Sequence, residues 1–290
     1  MTAAPQVAGT PEPAETGPPE PGDTSSAVAG EGAASARFDL GLAGKVVLIT
    51  GGARGVGAGI ATVLDSLGAT PVICARRPPQ GDDHPDFFPC DVRDEDAVAE
   101  LVGAIVDKYG RLDGLVNNAG GSPFALAADA SATFTNKIIA LNLVAPLIVS
   151  RAAHAVMVDQ PDGGAIVNIS SVSGHRPSPG TAAYGAAKAG VDSAATALAV
   201  EWAPRVRINS IVAGAIQTEL SHLHYGDQAG IDAVAATIPM GRLALPSDIG
   251  NAVAFLLSPL SSFITGSTLT IHGGGERPAF LAAANAGNQV

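Results

Sequence analysis

The sequence predicts a doubly wound α/β fold, one parallel sheet covered by helices on both faces. Three observations predict it. Short runs apolar on both faces recur along the chain, helix-length stretches with three- and four-residue apolar spacing lie between them, and a glycine-rich turn joins the first run to the first helix. A strand covered on both sides has no solvent face, so it reads as a continuous apolar run and not as an alternating one.

The elements follow in order. Residues 45–50 (Lys45-Val46-Val47-Leu48-Ile49-Thr50) form the first strand, and Thr50-Gly51-Gly52-Ala53-Arg54-Gly55-Val56-Gly57 turns it into a helix ending near Leu67. The second strand is 71–75. Over 94–109, Val98, Leu101, Val102, Ile105 and Val106 follow an acidic first turn, Asp94-Glu95-Asp96, which suits the positive end of a helix. Segments 112–116, 165–169, 208–212 and 267–271 are further buried strands, and there is no internal repeat.

Composition narrows the function. The 290 residues carry 27 acidic and 16 basic side chains, a net charge of −11, which excludes a phosphate-neutralising nucleic-acid binder. No uninterrupted apolar run reaches the ~18–20 residues of a bilayer span. Two cysteines, Cys74 and Cys90, make no disulfide framework; at the ends of the second and third strands they read as small core residues in a reducing cytoplasm. Residues 1–36 hold six prolines, nine alanines, five acids and no Lys or Arg. With nothing to bury, that stretch is expected to be a disordered leader, without the basic start and apolar stretch of a secretory signal. The folded domain is expected over 37–290.

Two sites carry chemistry. In the first loop, Gly51, Gly55 and Gly57 permit a tight turn and let backbone amides approach a pyrophosphate that faces the positive helix end. Further on, Tyr184 and Lys188 stand four apart, on one face of a helix. A free phenol ionises near pH ~10, and an adjoining ammonium is expected to lower that value. Ser171 ends the strand that precedes them, at the carboxyl edge where ligands of such sheets bind.

These residues resemble the short-chain dehydrogenase/reductase family, its compact branch of roughly 250 residues, a single domain of ordinary size. The likeness runs from about residue 41 to 275. It implies a single Rossmann-type domain with a seven-stranded parallel sheet. The cofactor loop is then Gly51, Ala53, Arg54, Gly55, Val56 and Gly57; Asp91-Val92 lies on the adenine side; Asn117-Asn118-Ala119-Gly120 is the fourth-strand motif. Gly214, Ile216 and Thr218 are implied to reach the carboxamide. The catalytic set is Asn142, Ser171, Tyr184 and Lys188. Tyr184 exchanges the substrate proton, Lys188 also binds the nicotinamide ribose, Ser171 steadies the substrate oxygen, and Asn142 holds a relay water. Where NAD-preferring relatives place an acid after the second strand, this chain has Ala75-Arg76-Arg77, with Arg54 also at hand. Arginine binds a 2′-phosphate that an acid repels, so NADP(H) is favoured over NAD(H).

The implied reaction interconverts a secondary alcohol and a ketone or 3-oxoacyl carbonyl; the alternative is a non-catalytic dinucleotide-binding sensor. Phe124, His175 and His222 are expected to line the substrate pocket with Ser171 and Tyr184. His222 and His224 lack a further ligand at suitable spacing, so no metal is expected. Like charge disfavours an acidic carrier protein as partner. Relatives of this kind are commonly homotetramers. Three departures from the family pattern stand out: Ala213-Gly214 for Pro-Gly, His272 for an Asp, and the extension from Glu276 onward.

Overall fold

The computed structural model describes residues 39–81 and 84–283. The leader at 1–36 and the tail beyond Ala283 lie outside the described residues. Seven strands form one sheet: β1 (Val46–Thr50), β2 (Thr70–Ala75), β3 (Asp86–Pro89), β4 (Gly114–Asn117), β5 (Gly164–Ser171), β6 (Val206–Ala213) and β7 (Thr268–Ile271). Their order is β3-β2-β1-β4-β5-β6-β7 and every neighbouring pair is parallel. The chain runs outward from β1 to β3, then returns to place β4 on the other side of β1. That reversal opens a crevice at the carboxyl ends of the strands.

Alternate residues of each central strand feed two separate cores. Val46, Leu48, Val72, Leu115, Ile166 and Ile208 face one, with α2 (Glu95–Tyr109), α4 (Ala145–Met157) and α5 (Ala182–Trp202). Val47, Ile49, Ile73, Val116, Val167 and Ile211 face the other, against α1 (Gly55–Ser66) and α8 (Pro246–Leu257). Both faces are therefore dry, which is why these runs contain no alternation. β3 and β7 are the edge strands: β3 is half-exposed along Asp86-Phe87-Phe88-Pro89, and β7, expected as a buried strand over 267–271, is exposed at Thr268, Leu269 and Thr270 because nothing among the described residues pairs beyond it in the sheet.

The helices begin and end as the residue chemistry directs. Asp94 caps α2 by accepting from the Asp96 and Ala97 amides, and Gly110 at φ 72° ends it in the left-handed conformation. α3 (Ala132–Ile139) is capped by Ser131, runs through a π turn (Ala140–Val144) and continues as α4. This 26-residue helix has an 18-residue window of mean hydropathy 1.6, enough by length and composition to match a membrane span. Here Ala145, Val149, Ala153 and Met157 are spent on the protein core instead. Two short helices, α6 (His222–Tyr225) and α7 (Gln228–Thr237), form a flap after β6, and α9 (Ala279–Ala283) lies in the extension.

Candidate active site

A cleft of about 980 Å³ opens at the carboxyl edge, bounded by the loops after β1, β2, β4, β5 and β6. Its floor at β1 is built by glycines that sit where no side chain fits. Gly51 and Gly55 have φ of 67° and 56°. A Cβ on Gly57 would stand 2.5 Å from Asn118 Nδ2 and from the Gly51 carbonyl oxygen; one on Gly52 would stand 2.5 Å from Ile73. The loop after β4 is tied to this turn. The Asn118 and Ala119 amides both donate to Thr50 Oγ1 at 3.0 Å, and Asn118 Nδ2 donates to the Thr50 carbonyl at 2.9 Å. Helix α1 has no side-chain cap, unlike α2, α3 and α7, so its first amides remain available to an anion. A flat glycine turn, an uncapped helix start and a long cleft fit a dinucleotide.

At the far end of the cleft, Ala75, Arg76, Arg77, Asp91 and Val92 line the wall. Asp91 is held at a pKa of about 2, chiefly by Arg93, whose guanidinium clamps both its oxygens, with Arg76 adding a smaller pull. Cys74 and Cys90 are free, buried and also reach this wall.

At the opposite end, Ser171 closes β5 while Tyr184 and Lys188 project from α5 into the same space. Gly185 lets α5 press on the turn after Ser171, since a Cβ there would come 2.5 Å from the Ser173 carbonyl oxygen. Lys188 Nζ lies 5.6 Å from the centre of the Tyr184 ring and donates to the Ile169 carbonyl at 2.7 Å. Burial lowers the Lys188 ammonium to about 8, against an opposing pull from Asp192. The phenol departs from expectation. Burial raises the Tyr184 pKa, and the Ser171 hydroxyl beside it offsets only part of that rise. The expected lowering by Lys188 is not found: burial sets the direction, because removing a phenolate from water disfavours it, and only the Ser171 hydroxyl opposes the rise.

Asn142 sits behind the cleft, fully buried in the π turn. Its Oδ1 accepts from the Gly121 amide at 2.8 Å, and its Nδ2 donates to the Gly121 and Ile138 carbonyls at 3.0 and 2.9 Å. Both amide protons are committed, which leaves one Oδ1 lone pair for anything else. π turns gather at functional sites, and nothing in the local sequence announces one.

The remaining expected residues divide. Arg54, Gly120, Gly214, Ile216 and Thr218 line the cleft, and Gly57 underlies it. Phe124, His175 and His222 do not line it. Phe124 is 72% exposed and lies over Gly180, His222 is exposed and bonded to the Glu219 carbonyl, and His175 turns to Asp192. Glu219, beside Gly55, and Asp192, one turn after Lys188, were not anticipated. Neither belongs to a motif; folding alone brings them here.

A parallel sheet reversing beside β1, with an anion-receptive glycine turn and a Tyr/Lys pair at one crevice, defines a dinucleotide-dependent oxidoreductase architecture. Comparison with known proteins agrees. Residues 51–276 match the family model described as enoyl-(acyl carrier protein) reductase. D-threitol dehydrogenase of Mycolicibacterium smegmatis is 35% identical, covering 83% of this chain and 96% of that one. A 3-oxoacyl-[acyl-carrier-protein] reductase of Vibrio cholerae is 34% identical, covering 81% and 98%. Among solved structures, the ligand-free aldohexose dehydrogenase of Thermoplasma acidophilum superposes with a TM-score of 0.77 at 32% identity, covering 80% and 94%. The chain belongs to the short-chain dehydrogenase/reductase family. It is an NAD(P)-dependent oxidoreductase acting on a small molecule.

Proposed function

We propose that this protein interconverts a secondary alcohol and its ketone, using NADP(H) in preference to NAD(H). The observation that carries the reading is the convergence of Ser171, Tyr184 and Lys188 on one end of the dinucleotide-shaped cleft. Tyr184 gives its phenolic proton to the substrate oxygen during reduction and recovers it during oxidation. Ser171 donates to the same oxygen and stabilises the charge that grows there. Lys188 supplies positive charge beneath the phenol and binds the nicotinamide ribose hydroxyls. Asn142 shapes the Gly120-Gly121 turn above Lys188 and holds the relay water on its remaining lone pair. The bound nicotinamide supplies or takes the hydride.

Arg54, Arg76 and Arg77 on the adenosine side, with Ala75 where an acid would select NAD, support NADP(H). The net charge of −11 favours a free small alcohol or ketone over a thioester held on an acidic carrier protein. Exposed apolar side chains on α4, α5 and near β7 (Leu147, Val200, Phe263, Leu269) support a homotetramer, and a cytoplasmic setting suits two free cysteines. A panel of secondary alcohols and ketones, followed by NADPH absorbance, tests the reading. Turnover is expected on at least one member. Tyr184→Phe is expected to lose 10²- to 10⁴-fold of kcat, roughly the worth of a positioned acid, while binding NADPH normally. Tight NADPH binding with no turnover on any member would overturn it in favour of a sensor.

A further inference from the structure

Behind Lys188 lies a buried polar cluster that this chemistry leaves unused. Asp192 stands one turn after Lys188 on α5 and is 7% exposed. Its Oδ2 accepts from Ser170 Oγ at 2.7 Å and from His175 Nε2 at 2.8 Å. Its Oδ1 is buried with no partner among the described residues. One carboxylate thus joins strand β5 through Ser170, the turn after Ser171 through His175, and the helix that carries Tyr184 and Lys188. Helix packing alone does not need a carboxylate, and a buried oxygen left without a donor is unfavourable. A charge kept at that position calls for a use.

We propose that Asp192 is a positioning residue for the active site, its negative charge keeping the enclosed Lys188 as an ammonium ion while its bond to His175 fixes the turn that holds Ser171. The inference rests on the reading of Lys188 as the working cation. Among the described residues, these groups stand around Lys188. Tyr184 and Asp192 come from its own helix, the Ile169 carbonyl on β5 accepts from its ammonium while Ser170 Oγ donates to its backbone carbonyl, and Gly120 lies beside it in the loop after β4. The π turn adds only the neutral Asn142, and the turn after Ser171 adds His175, which faces Asp192. Burial draws Lys188 down to about 8, and Asp192 is what opposes it. Without the carboxylate that opposing pull is gone, and the ammonium loses its proton at lower pH.

The test is the pH profile of kcat/KM for ketone reduction by the full-length protein. Wild type is expected to lose activity on the alkaline side as Lys188 deprotonates. In Asp192→Asn, a change of nearly constant volume, that limb should move about one pH unit lower, giving about tenfold less activity above both limbs. Asp192→Glu should restore it. His175→Gln should lower kcat across the profile without moving the limb. NADPH affinity against pH, read by fluorescence, should show the same displacement and needs no substrate. A uniform loss of activity or a lowered Tm in Asp192→Asn, with its limb and its NADPH profile coinciding with wild type, would overturn the inference. Wild-type turnover that survives Lys188→Ala would instead remove the reading beneath it, and the NADPH profile would still decide the role of Asp192.

Discussion

Burial acts in opposite directions on the two groups that share the α5 face. It raises the Tyr184 phenol and lowers the Lys188 ammonium, so the lysine is the first of the pair to lose a proton as pH rises. The arginines at the other end answer to a simpler rule. Arg77→Asp should shift the proposed preference for NADPH toward NADH by at least tenfold, measured as a ratio of Kd values, because a carboxylate accepts from a ribose 2′-hydroxyl and repels a 2′-phosphate. Equal affinities before and after the change would dismiss any role for Arg77 in cofactor choice. Asp113 illustrates a structural charge. Burial alone would raise its pKa, but Arg111, the Val46 amide and Lys45 together bring it below the ordinary value. A depressed carboxylate contributes stability above its unfolded pKa of about 3.9 and loses it as pH falls through the folded value. Asp113→Ala should therefore cost about 2 kcal/mol at pH 7, and the gap from wild type should close in acid, as followed by urea unfolding at both pH values.

Elements position these residues by close approach. The β1–α1 turn is flat because Gly52 and Gly57 leave room for Ile73 and Asn118. Gly57→Ala places a methyl group 2.5 Å from a backbone oxygen, and the turn must move to admit it. NADPH affinity should fall at least tenfold, measured by fluorescence titration, while the unfolding transition shifts by only a few degrees. Retained affinity would mean that the turn does not cradle the dinucleotide. The glycine spacing and the helix behind it were legible in the sequence, since both are local. The π turn that buries Asn142 was not, because it arises where α3 and α4 must both meet the fold while the Gly121 backbone claims the Asn142 amide. Likewise, the short α6 lifts His222 into solvent, an orientation set by the path of the flap and invisible in residue type.

Across the whole molecule, the five central strands were readable, since a strand covered on both faces must be apolar throughout, whereas β7 is an exposed edge strand. The other edge, β3, carries no apolar run, because it pairs on one side only and tolerates Asp86 and Pro89. The same scale governs assembly. Phe263 is fully exposed and Val200 is 82% exposed, surface that a lone copy of the chain leaves in water. Phe263→Asp should shift the species seen by size exclusion with light scattering from the proposed tetramer toward smaller forms, as a charge placed in an apolar contact goes unpaired. An unchanged mass would move the subunit contact elsewhere.

The sequence by itself determined the covered parallel sheet, the anion-receptive turn and the positions of Ser171, Tyr184 and Lys188. Each depends on spacing within one element or on apolar content, and those are properties of a string of residues. Tertiary structure alone decided that burial raises the phenol, that Asp192 and His175 lie behind the lysine, and that Phe124 and His222 stand outside the cleft. Desolvation and contacts between elements distant in the chain set those outcomes, and both exist only once the chain has closed on itself.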